Sequence, residues 1–436
     1  MSRYYVKHNS QVYKEAFSAA KAESASLPRQ KSTFHFFAKL FMYVSLCFPK
    51  AGVSNTLFSL PFTAAYLLFG VCAFLSLRHF MSCPIRKYAV FPFLYIIFAF
   101  TTTLLVNGNV ASPRMISFMI VLLLSPITWF WSLSLERREA NDMLTNAVLT
   151  VGIFSVIQFF FGLRETMIPG LTIAFGEDYA NKQVFRSFGL SKYPSTYQNG
   201  SLLAPSILMM LCFSLEMMPP FQNVKMKTKI SILIGFVALL LSGSRTCIFS
   251  AILMLPFLLH EIIIHRGYTV KQWEKNILLA IVSLLIILFA ALYSSGQIKA
   301  LFDQIYRAYI GFTLTDATAS GRTAQWENFI TRFFNLSGLD FFRVWLIGFP
   351  WSEAPYMEGL PLIFSLYGGI TFLIYEVFLA ITFSKYRRYI YIRYCLIVLF
   401  LTFQIDGTVL YPPTMMNLFI LLGMWDHCGF RDKQGN

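Results

Sequence analysis

Apolar runs separated by short polar breaks set the rhythm of this chain. The runs cover residues 33–48, 57–77, 89–106, 115–134, 143–162, 200–218, 230–244, 246–264, 277–295, 358–382, 395–411 and 414–426. Charged clusters, Asn/Gly/Pro turns and interfacial aromatics mark their boundaries. A helix of about 20 apolar residues crosses the hydrocarbon core of a bilayer. The pattern therefore predicts an all-α integral membrane protein with about twelve transmembrane helices. The first run is the weakest, being short and carrying Lys39. The predicted organisation is a segment 1–32, helices over 33–162, a loop 163–199, helices over 200–295, a large loop 296–357, helices over 358–426 and a tail 427–436.

Composition agrees with that class. Hydrophobic residues make up 56% of the chain and charged residues 13%, with a mean hydropathy of +0.58. A soluble globule carries about 25% charged residues, so this chain lacks the polar surface a soluble fold of its size requires. Residues 1–32 are polar and lack the apolar core of a cleavable signal peptide, which leaves the first run as the expected targeting signal. The seven cysteines are scattered, with neither a metal-ligand spacing nor a disulfide framework.

Charge then orients the helices. With the N-terminus in the cytosol, alternating spans place 24 of the 36 Lys and Arg residues on the inner side. These include Lys39 and the clusters Arg78/Arg86/Lys87, Arg137/Arg138, Lys225/Lys227/Lys229, Arg266/Lys271/Lys275 and Lys385/Arg387/Arg388/Arg393. The opposite orientation violates the positive-inside rule. Much of the +15 net charge is thus topological. No basic stripe interleaved with aromatics marks a soluble domain, which weighs against nucleic acid as a partner.

Two connections, 163–199 and 296–357, are long and fall on the outer side, where they hold most of the outward cations. Loops of this length are functional or disordered, and these are too aromatic for disorder. The second contains "SGRTAQWENFITRFF", residues 320–334, in which Trp326, Phe329, Ile330, Phe333 and Phe334 recur at the spacing of an amphipathic helix. Ser320 is the predicted N-cap, Gly321 allows close approach to the first turn, and Arg322 shares the apolar face. A guanidinium beside free backbone N–H groups suits an anion, while a surface-lying helix with snorkelling cations accounts for the same pattern. The first loop ends in "RSFGLSKYPSTYQNGSLLAPS", residues 186–206, where Arg186 precedes a Gly/Pro/Ser-rich turn into a span. That stretch also reads as an ordinary helix start with interfacial tyrosines.

Arg245 lies in "LLLSGSRTCIFSA", residues 239–251, at the Gly243-Ser244 turn. The preceding run from Ile230 to Ser242 spans only about 20 Å of helix, against a core of about 30 Å. The turn is expected below the outer headgroups, where a charge costs roughly 2.5–3.5 kcal/mol on insertion scales. An arginine at that depth faces water or an anion; a boundary arginine is the alternative.

These pieces, with "WLIGFPWSEAPYMEGLPLIFSLYGGI" at 345–370, resemble in order, spacing and side the O-antigen ligase/polymerase family of bacterial membrane glycosyltransferases, over about residues 180–375. The resemblance implies a GT-C-like helical enzyme of the bacterial inner membrane, active on the extracytoplasmic side, with a glycan on undecaprenyl diphosphate as donor. The polymerase branch extends a new lipid-linked repeat unit; the ligase branch transfers to lipid A–core. Arg186, Arg245 and Arg322 match the family's arginines, with Ser320, Gly321 and Trp326 beside the last. Ligases carry a histidine about ten residues before a glycine where the large loop re-enters the membrane. Here Glu358 stands at that spacing before Gly368, and neither long loop contains a histidine, which favours a polymerase.

The chemistry implied needs no metal or cofactor. A leaving diphosphate requires neutralisation of developing charge, which arginines supply, and neither loop has an Asp-x-Asp pair. The acceptor hydroxyl needs orientation, with Glu358 the candidate base. Expected partners are the lipid-linked donor and acceptor, the bilayer, a chain-length regulator and a flippase. The main rival reading, a flippase, requires two comparable halves around a central cavity, whereas only the second half of this chain has the large loop.

Overall fold

The computed structural model describes residues 28–55, 60–80, 87–107, 125–132, 135–168, 170–172, 192–197, 200–218, 224–244, 247–248, 250–251, 253–254, 322–405 and 412–429. They are mostly helical. In chain order the helices are α1 (Pro28–Cys47), α2 (Ala64–Phe80), α3 (Lys87–Asn107), α4 (Ile127–Ser132), α5 (Arg137–Phe161), α6 (Gly200–Met217) and α7 (Met226–Leu241). After these come α8 (Arg322–Phe334), α9 (Gly338–Ile347), α10 (Pro361–Tyr367), α11 (Gly369–Lys385), α12 (Ile390–Ile405) and α13 (Pro412–Gly429). Among the described residues two helices, α5 and α6, are long and apolar enough to cross a membrane, and shorter apolar stretches occupy Thr33–Cys47, Ala64–Ser76, Tyr95–Asn107 and Ile390–Gln404.

The predicted run 57–77 is not one helix. An antiparallel hairpin pairs β1 (Gly52–Asn55) with β2 (Leu60–Thr63), Gly52 opposite Thr63, and α2 begins only at Ala64. Pro61 explains the delay: it cannot donate to a helix, and its ring pushes the preceding residue into extended backbone. Thr63 then caps the helix, its hydroxyl accepting the Tyr66 amide at 3.4 Å. The hairpin is a small departure from an all-α fold. The predicted run 358–382 is also broken, into α10 and α11, at Gly368 with φ 98°. Of the other predicted runs, 277–295 lies outside the described residues, and 115–134, 246–264 and 395–411 are described only in part.

Polar contacts divide between the two ends of the bundle. At one end, Glu139 near the start of α5 meets Lys39 and His35 of α1. Arg137 donates to the Met217 carbonyl at the end of α6, and Lys227 to Asn146 at 2.6 Å. The Tyr391 amide of α12 donates to Glu216 at 2.9 Å. Lys385, closing α11, donates at 2.5 Å to Asp426 of α13, which also accepts the Trp129 indole at 3.1 Å. At the other end, the last carbonyls of α1 accept from Thr196 and Tyr197, and the end of α12 lies against residues 359–360. α1 and α12, tied at both ends in this way, therefore run in the same direction.

α6 is the centre of the bundle, with nearly every residue buried. Gly235 of α7 lets that helix approach closely, since a Cβ there would fall 2.6 Å from Leu211 and 2.7 Å from Val148. The outward faces are apolar instead of charged. Leu105 is 81% exposed, and Ile97, Ile153, Ile157, Leu373, Val377, Ile381, Ile397 and Leu401 also point outward at helical spacing. In water such a surface would be an aggregation patch.

Candidate functional site

At the end opposite the charged contacts, the first long loop closes onto the bundle through "KYPSTY", residues 192–197. Ser195 adopts φ 55°, a left-handed conformation uncommon for a residue with a side chain. Three hydrogen bonds hold it there. Its amide donates to Gln158 Oε1 at 2.6 Å, its hydroxyl to the Val151 carbonyl at 2.6 Å, and its carbonyl accepts Gln158 Nε2 at 3.0 Å. The next two side chains reach carbonyls that α1 leaves unpaired at its C-terminus: Thr196 donates to Cys47, and Tyr197 to Leu46 at 2.6 Å. The Tyr197 oxygen also accepts Asn417 Nδ2 at 3.1 Å, and Asn417 in turn accepts Ser45 at 2.9 Å. Burial pushes the phenols of Tyr193 and Tyr197 up from their ordinary values, so both are neutral at physiological pH.

The same loop end lies across the turn that follows α7. The Tyr193 amide donates to the Leu241 carbonyl at 3.0 Å. Gly200, the first residue of α6, sits so close to Ser242 that a Cβ would fall 2.0 Å from its carbonyl oxygen. Gly243 turns the chain at φ 67°, with the Lys192 stem laid over it. Residues 192–197 and Gly200 thus form one interlocked corner with the distant stretch 241–244. α7 has 16 residues, about 24 Å of helix.

The second long loop returns at the same end. The helix predicted within 320–334 forms as α8, beginning at Arg322. Its apolar stripe is split. Phe329 and Phe333 turn inward and stack at 6.0 Å, with the Phe364 ring edge-on to both at 5.2 and 5.5 Å. Trp326, Ile330 and Phe334 remain exposed, so the single apolar face expected of the five residues is covered by protein only along one side. Arg332 donates to Asn328 at 3.0 Å and to the Glu353 carbonyl, pinning α8 to the returning chain.

The stretch 345–370 folds back on itself. The Phe349 amide donates to Ser365 at 2.9 Å, the Trp351 indole to Leu366 at 3.0 Å, and the Ser365 hydroxyl to Pro355 at 2.7 Å. Gly368 breaks the predicted span because the end of α9 occupies the space beside it: a Cβ there would lie 2.8 Å from the Leu346 carbonyl. Asn107, ending α3, accepts the Trp351 amide at 3.1 Å and holds the fold against the bundle.

Glu358 is half-buried in the non-helical stretch before α10, and the helix itself starts at Pro361. The expected place at a helix N-terminus is therefore corrected: the carboxylate precedes the first turn. Beside it the Leu360 amide donates to the Phe403 carbonyl at 2.8 Å, and Gly359 packs on the Gln404 backbone. Gln404 donates to Glu376 of α11 at 2.8 Å, a polar link that periodicity did not single out because Glu376 and Gln404 meet only in space.

Of the predicted site residues, Arg186, Arg245, Ser320 and Gly321 lie outside the described residues. The backbone of Arg322 opens α8, and its side chain lies outside them as well. The structure brings together chain from two of the motifs, 192–197 and Gly200 with 241–244, and it packs α8 against the returning loop that carries Glu358. Lys192 is one of the cations of the first long loop, and its place across Gly243 is visible only in three dimensions. A comparison with protein-family models, with curated proteins and with solved structures returned no match, so the functional reading stands on these residues alone.

Proposed function

We propose that the chain is a GT-C-like polysaccharide polymerase of about twelve spans in the bacterial inner membrane. It transfers a growing glycan from undecaprenyl diphosphate to a hydroxyl of a new lipid-linked repeat unit on the extracytoplasmic side. The observation that carries the reading is the interlocked corner, in which the motif after Arg186 meets the turn before Arg245. The other end gathers Lys39, Arg137, Lys225, Lys227 and Lys385 into pairs with acidic or polar partners, as the cytoplasmic side of a membrane protein requires. The exposed apolar side chains between the ends suit lipid.

In this reading the acceptor oxygen attacks the anomeric carbon of the donor glycan. The bond from that carbon to the diphosphate oxygen breaks, and its electron pair leaves with the diphosphate. Arg186, Arg245 and Arg322 neutralise the charge that develops there. Glu358 takes the acceptor proton, or orients the hydroxyl as it attacks. The polyprenyl tail stays in the bilayer, which explains a site at the membrane surface.

A deletion strain tests the reading. Its surface polysaccharide should lose the ladder of lengths while keeping one repeat unit, and the intact gene should restore the ladder. Loss of every unit from the acceptor points to a ligase or a flippase and overturns the proposal.

A further inference from the structure

We propose that α9 is a re-entrant helix whose outer face, formed by Leu339, Phe342 and Leu346, lies in the lipid of the extracytoplasmic leaflet. The inference rests on the membrane part of the reading above and not on its glycan chemistry. The sequence pattern puts residues 296–357 wholly outside the spans, so a part of that loop inside the bilayer gives it a new surface and a new partner.

The helix is apolar on two opposite sides. Val344 is buried, and the rings of Phe341 and Trp345 turn toward Phe333, with Trp345 also against Phe364. On the other side Leu339, Phe342 and Leu346 recur at i, i+3 and i+7, with Leu339 87% and Phe342 65% exposed. A helix lying between protein and water carries a polar stripe, whereas one that is apolar all round belongs in a core or in a membrane. Arg343 stands at the edge of the open stripe, half-buried, with a stem long enough to carry its charge toward headgroups.

The depth of α9 follows from its bonds to α3. The Tyr95 hydroxyl donates to the Leu346 carbonyl at 3.2 Å, and the Thr103 hydroxyl lies 3.1 Å from the Ile347 carbonyl. Asn107, the last residue of α3, accepts the Trp351 amide at 3.1 Å. Thr103 precedes Asn107 by about 6 Å of helix and Tyr95 by about 18 Å. The chain therefore descends along α9, turns beside the body of α3 at Leu346 and Ile347, and regains the end of α3 by Trp351. The outward side chains of α3 bracket that turn, Ile97 and Phe98 below it and Leu105 and Val106 above. A face at the level of this apolar belt meets the solvent that the belt meets, and this commits it to lipid.

The end of the helix is finished for such a place. A helix leaves its last four carbonyls without intrahelical partners, and a bilayer core has no water to supply them. Here the Val344 carbonyl accepts the Gly348 amide at 3.2 Å, the Leu346 carbonyl has Tyr95, and the Ile347 carbonyl has the hydroxyl that Thr103 shares with Ala99 of its own helix.

Collision rates of a nitroxide label test the placement. Phe342→Cys and Leu346→Cys are labelled one at a time in the full-length protein without its native cysteines, reconstituted into vesicles of phosphatidylethanolamine and phosphatidylglycerol. Oxygen concentrates in lipid, and nickel ethylenediaminediacetate stays in water. Ile153→Cys, on the outward face of α5, is the lipid reference, and Arg387→Cys is the water reference. Both α9 labels should meet oxygen several-fold more often than nickel, as Ile153→Cys does, with the order reversed at Arg387→Cys. If the Leu346 label lowers the melting temperature, Phe342→Cys, the more open position, decides alone. Nickel dominating on α9 while Ile153→Cys stays lipid-like overturns the inference and leaves the membrane reading standing. Few collisions with either reagent mean that protein covers the face, which overturns the inference as well. A water-like Ile153→Cys overturns the membrane reading and the inference with it.

Discussion

The two ends of the bundle are built from different materials. At one end, helix termini are tied by charged side chains: Glu139 to Lys39 and His35, Lys225 to Asp142, Lys385 to Asp426. At the other, the ties are backbone groups, hydroxyls and glycines: Ser195 on Gln158 and Val151, Gly200 against Ser242, Leu360 on Phe403. Pairs of long charged side chains tolerate sliding, and surface pairs add little stability. A corner of glycines and carbonyls does not slide, because a single added Cβ collides with main chain. Rigid backbone beside cations suits a binding site. At the charged end Gly423 meets the Trp129 carbonyl as closely, a Cβ there falling 2.3 Å away, but the neighbouring cation Lys385 is paired with Asp426.

The sharpest way to break this comparison is to ask which end faces outward. In a background without native cysteines, Lys182→Cys and Lys299→Cys should react with a membrane-impermeant thiol reagent in intact, outer-membrane-permeabilised cells. Arg387→Cys, at the charged end, should react only after lysis. The reverse pattern would sink the assignment of ends.

Next in size are the arginines. Arg245→Ala and Arg322→Ala should each abolish polymer without lowering the amount of inserted protein, and Lys at either position should rescue only in part, lacking the planar fork. Full activity of both Ala variants would make them boundary cations.

Glu358 should divide by chemistry. With a general base there, Glu358→Gln abolishes polymerisation and leaves donor binding intact, and Glu358→Asp keeps a fraction. Normal polymerisation by the Gln variant in a purified assay would leave the site to work by positioning and charge neutralisation alone.

At the charged end, effects should appear in stability and not in donor binding. Asp426 is 7% exposed and serves both Lys385 and Trp129, so Asp426→Ala should lower stability by roughly 2–3 kcal/mol, discounted because Lys385 is 30% exposed. Glu139→Gln, in a pair about a third exposed on both sides, should cost below about 1 kcal/mol. Melting curves of the purified variants check the order, and loss of lipid-diphosphate binding in either would erase the distinction between the ends.

Much of the helical plan was legible in the sequence because long apolar runs bounded by turn residues and charges favour helices. Apolar runs and cation clusters marked most of the helices, and several of those clusters do converge on one end. What escaped the pattern depends on neighbours. Pro61 sits in an apolar run that hydropathy cannot distinguish from a helix, yet it diverts residues 60–63 into a strand. The break at Gly368 follows from the arrival of Leu346, a residue of another helix. On α8, periodicity identified one apolar stripe but could not say that Phe329 and Phe333 meet protein while Trp326 and Phe334 do not. The proposed site rests on three arginines whose side chains lie outside the described residues. The place of Lys192 and the Glu376–Gln404 link were not legible, because a stem across a glycine turn and a bond between two helices leave no periodic trace.

The central claim is that this chain lengthens glycans at the rigid end of its bundle. Its most direct test is turnover by the purified protein in detergent, with lipid-linked repeat units as both donor and acceptor and the products separated by length. The account predicts glycans of two or more repeat units, released diphosphate-linked lipid in matching amount, and neither with Arg245→Ala. A folded wild-type protein that leaves every repeat unit single contradicts it.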